Sequence, residues 1–232
     1  MAEEQQPNPP QLIEFHSGRH ERFPKPYPAS RAIAEWYKNL PIEATSTGPE
    51  PAVMPTVKRC PPFLEAMSCG YIIPFCADVI FTTDARGNLS FEATGPMIET
   101  HDPAQYRGTP FAAALLVKFI NPWIIKTPPG YSTLVLPALN RFHIPFLILS
   151  GLIETDTYYR EINFPAICQL PPNVKYQITR GTPLAQVIPF RREPWQSAAG
   201  EYDNAQRLAI EHAIAANLHI YKDEHWRKKS FE

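Results

Sequence analysis

Histidines and cysteines are the first residues to ask for metal or nucleophile chemistry. The seven histidines are His16, His20, His101, His143, His212, His219 and His225. His16 and His20 are four apart, a spacing that brings two ligands together only on a helix. Gly18 lies between them and prolines follow, so solvated loop histidines are expected. His101-Asp102 offers two ligands without an evident third. His143, between Phe142 and Ile144, reads as a hydrogen-bonded histidine at a strand end.

Cys60, Cys69, Cys76 and Cys168 form no CxxC pair and no zinc-ribbon spacing. Free thiols in a reducing compartment are expected, with a Cys60–Cys69 or Cys69–Cys76 bridge left open. Cys168 sits in an apolar run and reads as core. No nucleophile elbow, phosphate loop or H-E-x-x-H occurs, so no metal site is expected. A metal-dependent oxygenase lacks a convincing His-x-Asp…His set. Trp36, Tyr37, Tyr71, Trp123, Tyr131, Tyr158, Tyr159 and Trp195 are spread through proline-rich segments. They either fasten arms to a core or line a pocket for a base, sugar or peptide.

The elements that must position these groups are short. The chain carries 27 prolines, which are poor residents of helix interiors and central strands, so many corners and ordered arms are expected. At 44% hydrophobic residues, 232 residues can bury a sizeable core. The net charge of -1 provides no global attraction to nucleic acid or anionic membrane. Arg191-Arg192 and Arg227-Lys228-Lys229 read as solvated clusters rather than a nucleic-acid footprint. The start, MAEEQQPNPPQ, has no signal-like apolar region, and no apolar run approaches the ~20 residues of a membrane span, so a cytoplasmic protein is expected.

Three segments are expected: a proline-rich arm over 1–62, a β-rich core over 63–195, and a helix with a basic tail over 196–232. In the arm, Ser30 to Leu40 predicts a short helix capped by Ser30 and stopped by Pro41, with Ile33, Trp36, Tyr37 and Leu40 on one face. Pro41 to Pro55 reads as a linker, and Pro61 to Ser68 as one or two helical turns. Gly70 to Thr83 predicts a strand bent at Pro74. The turn Asp84 to Asn88 then returns it as Leu89 to Ala93, the clearest hairpin in the chain. Thr94 to Thr109 is loop-like. Further apolar runs, at Ala113 to Asn121, Trp123 to Lys126, Tyr131 to Leu136, Pro145 to Leu149, Ile162 to Leu170, Tyr176 to Ile178 and Leu184 to Phe190, predict a sandwich or barrel-like all-β core. Glu201 to His219, with Leu208, Ile210, Ile214 and Leu218, predicts an amphipathic helix.

The order of the pieces from Thr127 to Phe190 resembles the core of the dUTPase and dCTP-deaminase β-clip family. Thr127-Pro-Pro-Gly-Tyr131 resembles that family's turn before a strand. Pro137-Ala-Leu-Asn-Arg-Phe142 occupies the place of P-R-S-G-L-A, with Asn140 and the displaced Arg141 as the ligand-binding candidates there. Gly151-Leu-Ile-Glu-Thr-Asp-Thr-Tyr-Tyr-Arg160 is similar to G-x-I-D-x-x-Y-R, with about two residues inserted. Gly181-Thr-Pro-Leu-Ala-Gln186 resembles G-D-R-I-A-Q. The resemblance implies a mainly β, β-clip-like fold. It would put Asp156 at the water-activating carboxylate with Glu154 competing for that role, Tyr159 under the deoxyribose, and Gln186 as an amide donor on the phosphate side. Mg²⁺ would accompany such chemistry, and a homo-oligomer, commonly a trimer, is implied.

The departures point elsewhere. The Arg-Ser-Gly triplet reads Ala-Leu-Asn, and nothing after Arg191 supplies a glycine-rich phosphate arm. The whole chain also resembles an uncharacterised family of phage and bacterial proteins, in words such as Cys60-Pro-Pro-Phe63, Gly70-Tyr-Ile-Ile-Pro74 and Phe119-Ile-Asn-Pro-Trp123. Two readings therefore stand. One is a non-enzymatic binding or assembly protein, phage-related by that likeness, whose partner is a protein or small molecule. The other is a deoxynucleotide hydrolase or deaminase-like enzyme using Asp156 or Glu154 as base.

Overall fold

The computed structural model describes residues 11–95, 97–112, 114–217 and 220–232. Residues 1–10 of the expected arm, position 96 of the loop-like stretch, Ala113, and Leu218 and His219 of the expected C-terminal helix lie outside them. The strands in chain order begin with β1 (Glu14–His16), β2 (Tyr27–Pro28), β3 (Glu43–Thr45), β4 (Val53–Pro55), β5 (Tyr71–Pro74) and β6 (Val79–Thr83). Then come β7 (Leu89–Ala93), β8 (Ile98–Thr100), β9 (Leu116–Phe119), β10 (Ile124–Lys126) and β11 (Tyr131–Pro137). The last are β12 (Phe146–Ile148), β13 (Gly151–Ile153), β14 (Phe164–Cys168), β15 (Lys175–Ile178) and β16 (Pro183–Arg191). The α-helices are α1 (Glu35–Asn39), α2 (Pro61–Ser68) and α3 (Asn204–Ala216). The protein is mainly β and antiparallel, with a C-terminal helix.

The chain divides into two compact units that do not follow chain order. The first comprises Met1–Pro26, Tyr71–Ala138 and Phe142–Arg192; the second comprises Tyr27–Gly70, Leu139–Arg141 and Glu193–Glu232.

In the first unit, β13, β11, β16 and β5 lie side by side, as do β12, β14, β9 and β8. β15, β6 and β7 form a third sheet, and β1 pairs with β10. The core is aromatic. Phe81 and Phe146 have ring centroids 4.5 Å apart, and Phe119 lies 5.3 Å from Phe75 and 5.4 Å from Phe146. Phe119 is 0% exposed. Tilted and edge-to-face contacts of this kind add to the stabilisation from the area they remove from water.

The prolines and turn residues act as their chemistry requires. β5 ends at Pro74, and the pairing with β16 shifts register between Pro183 and Ala185, where Pro183 stands opposite Pro74. A bulge is where a strand tolerates residues with no N–H to donate. In the β6–β7 hairpin, Asp84 Oδ1 accepts from the backbone N–H groups of Arg86 and Asn88 at 2.8 Å, and Gly87 takes φ 81°. An aspartate that bonds its own following backbone closes such a turn locally.

The second unit holds α1, α2 and α3. Tyr37 is buried and stacks on Phe63 of α2 at 5.9 Å, with Trp36 edge-on to the same ring at 6.0 Å. α1 begins at Glu35, after Ala34, not at a Ser30 cap. Ser30 lies instead in a 3-10 turn, Ala29–Ala32. The stretch expected as a linker contains a β-hairpin, with Glu43 opposite Pro55 and Thr45 opposite Val53. Both strands are exposed along their length, so no alternation marks them in the sequence. α2 spans the expected Pro61–Ser68, with proline in its first turn, where the missing N–H is harmless. Asp203 caps α3 by accepting from the backbone N–H of Gln206 at 2.9 Å.

Candidate functional site

The turn between β10 and β11 is built around one carboxylate. Gly130 takes φ 85°, the left-handed conformation glycine adopts without strain. Its N–H donates to Asp156 Oδ2 at 2.9 Å. Arg192, just beyond β16, donates from Nη1 to Asp156 Oδ1 at 3.0 Å and from Nη2 to Oδ2. The same Nη1 donates to the Tyr131 carbonyl at 2.8 Å and to Ser132 Oγ at 3.0 Å. The Arg192 backbone N–H closes the loop on the Gly130 carbonyl at 2.9 Å. Behind this clamp, Thr155 Oγ1 is 2.8 Å from both Thr127 Oγ1 and Thr133 Oγ1 in a buried chain of hydroxyls.

The electrostatics follow from these partners. The Arg192 hydrogen bond, then the Gly130 N–H, lower the Asp156 carboxyl from 3.8 to about 2. Asp156 in turn raises the Arg192 guanidinium. The Asp156 side chain is 5% exposed. A carboxylate with so low a proton affinity, occupied by three N–H donors, is a weak base near neutral pH. The geometry suits a bidentate strut that ties a turn to the end of a strand.

The other candidates have different surroundings. Glu154 is exposed and lines a groove of about 690 Å³ with Thr157, Tyr158, Arg160 and Glu161. Tyr159 lines a separate hollow of about 500 Å³ with Glu14, Phe15, His16 and Ile124. Its hydroxyl is 3.1 Å from His16 Nδ1, and His16 Nε2 is 3.5 Å from Glu14 Oε1. Gln186 is 0% exposed on β16, opposite Leu136 of β11 and Ile72 of β5. Asn140 and Arg141 belong to the second unit. Asn140 has φ 53° and faces the Phe63 carbonyl at 3.5 Å. Arg141 is 3% exposed and donates to the carbonyls of Ala29 at 3.1 Å and Met67 at 3.0 Å. Its burial lowers its proton affinity, against a smaller opposing effect of Tyr27. The four candidates of the first unit thus face a clamp, a groove, a hollow and the sheet interior.

Among the described residues, no group of three or more His, Cys, Asp or Glu converges as a metal site. His143 Nε2 lies 2.7 Å from the Pro183 carbonyl, the hydrogen-bonded histidine its neighbours suggest. The four cysteines are free, and burial pushes the Cys76 thiol up to about 12, far from a reactive thiolate. No helix among the described residues is long and apolar enough to cross a membrane.

One site was not among the sequence candidates. In the second unit, α2, Ile42, the Lys58-Arg59 turn and the C-terminal segment line a partly open cavity of about 680 Å³. Tyr37, Leu64 and Pro61 line it together with Trp226 and Phe231. Glu65 Oε1 accepts from Trp226 Nε1 and from Lys229 Nζ, each at 2.7 Å. The Lys229 hydrogen bond is the main reason the Glu65 carboxyl lies below its ordinary range. The basic tail was the sequence signal here, and its partner Glu65 on α2 lies more than 150 positions away.

No family model matches the chain, and no curated protein matches it. Among solved structures, the chain is similar to the native dUTPase of EIAV at 14% identity, covering 59% of this chain and 85% of that one, with a TM-score of 0.34. It is similar to a variant dUTPase of Staphylococcus bacteriophage 80alpha with dUpNHpp at 12% identity, covering 59% and 78%, with a TM-score of 0.34. A variant dUTPase from phage phi11 of S. aureus, described with a structural Mg(II) ion, matches at 13% identity over 59% and 86%, with a TM-score of 0.35. Each of these likenesses covers 59% of this chain.

Proposed function

We propose that this chain is a non-enzymatic binding or assembly protein on a dUTPase-like β scaffold, phage-related by its sequence words. The observation that carries the reading is the Asp156 carboxylate. It is held by Arg192 and the Gly130 N–H and lowered to about 2. In this reading Asp156 stabilises the turn before β11, and Gln186, fully buried, belongs to the sheet. Association into a homo-oligomer, with the trimer that the sequence resemblance implies, is part of the same proposal. Sedimentation equilibrium should show a mass above one chain, and a monomer at all concentrations would contradict that part.

A thermal-shift series with dUTP and dCTP, each with and without Mg²⁺, tests the reading. A ligand at about 100 times its Kd should add roughly 2.7 kcal/mol. The expected result is no Mg²⁺-dependent shift that Asp156→Asn or Gln186→Ala abolishes. Such a shift would favour the enzyme.

The exposed Glu154 carboxylate, in its groove with Arg160 and Glu161, favours a second reading. There Glu154 rather than Asp156 is the base of a deoxynucleotide hydrolase or deaminase-like enzyme. Mg²⁺ takes a near-octahedral set of oxygen ligands. The described residues bring no such set together, so no step is assigned to the metal. Turnover lost in Glu154→Gln and retained in Asp156→Asn would support this second reading.

A further inference from the structure

We propose that the cavity of the second unit binds a small aromatic organic anion. The inference stands on that unit alone, whatever the first unit does with nucleotides. At about 680 Å³ the cavity is the size of a site for one small molecule. Its apolar walls include Tyr37, Trp226 and Phe231, so a flat ring system can bury its faces against aromatic surface.

Charge selects the other half of the ligand. Lys58, Arg59, Lys222 and Lys229 line the cavity against the single carboxylate of Glu65. Three of the cations already have partners. Lys58 Nζ donates to the carbonyls of Lys38 and Leu40 at 2.6 and 3.0 Å, Arg59 pairs with Glu43 at 2.8 Å, and Lys229 pairs with Glu65 at 2.7 Å. Lys222 makes no such contact among the described residues and is the cation available to an incoming acid group. Glu65 is already matched by Lys229 and Trp226, so it does not offset that charge. A carboxylate or sulfonate at Lys222, with its ring between Trp226 and Leu64, satisfies both the charge and the apolar surface.

The probe is 8-anilinonaphthalene-1-sulfonate, titrated by fluorescence against the full chain, with neutral N-phenyl-1-naphthylamine as the uncharged comparison. One saturable site per chain is expected, with the neutral compound about tenfold weaker or worse. Lys222→Glu, at an exposed position that leaves the packing intact, should weaken the sulfonate about tenfold and the neutral compound little. Trp226→Leu should weaken both. Non-saturating binding, equal affinity for the two compounds, or unchanged sulfonate affinity in Lys222→Glu would overturn the proposal. A melting curve of Lys222→Glu matching that of the parent chain confirms that the comparison reads binding rather than unfolding.

Discussion

Asp156 and Arg141 are both ionisable groups removed from bulk water, yet their partners differ. Asp156 meets a guanidinium and an amide N–H, which hold it charged. Its folded-state pKa of about 2 lies below the ordinary 3.8. The stability it contributes is therefore full above the ordinary value and lost as the pH falls through about 2. Asp156→Asn should melt at a lower temperature than the parent at pH 7, and the gap should close in melts near pH 2. A gap independent of pH would contradict the clamp. Arg141 instead donates to carbonyl oxygens, of Ala29 and Met67, rather than to a carboxylate. Arg141→Met removes a buried charge but leaves those carbonyls without their donor, so about 1–3 kcal/mol of destabilisation is expected in urea unfolding. No loss, or a gain, would mean that the desolvated charge outweighs its hydrogen bonds.

Elements with a clear apolar run or turn signal, β11 and β16 among them, were legible in the sequence, and β1, β3 and β4 were not. The β6–β7 hairpin needs only Asp84, Gly87 and Asn88 to turn, and it stands where these residues predict. α2 spans the expected Pro61–Ser68 turns, and α3 lies within the 201–219 stretch whose apolar spacing predicts a helix. β1 is three residues long and exists because Glu14 pairs with Lys126 more than a hundred positions away, which no local pattern reveals. β3 and β4 are polar or exposed on both faces, so alternation could not announce them. The same holds at the clamp: Arg192 read as part of a surface basic pair because its partner Asp156 arrives on another loop. Two stability tests belong at this scale. Phe119→Ala, which empties a fully buried position among three rings, should reduce stability by about 3–5 kcal/mol in denaturant melts. Asp203→Ala should remove the α3 cap for about 1 kcal/mol, read as reduced helical ellipticity on warming. Little effect from Phe119→Ala would place the core elsewhere.

For the whole molecule, the two units give the chain two separate kinds of ordered surface. The first is an antiparallel β assembly in which Asp156 is taken up by a clamp and Gln186 by a sheet, while Glu154 stays exposed. The second carries a partly open cavity bordered by contacts between α2 and the C-terminal segment. The sequence resemblance puts Asp156 at the water-activating carboxylate with Glu154 competing for that role, and the partners of Asp156 suit a structural strut. The direct measurement is hydrolysis of dUTP and dCTP by the purified full chain with Mg²⁺ near neutral pH, in parallel with Asp156→Asn and Glu154→Gln. The account predicts no turnover above the uncatalysed background in any of the three. Turnover by the parent chain that Asp156→Asn abolishes, while its fold survives, would contradict it.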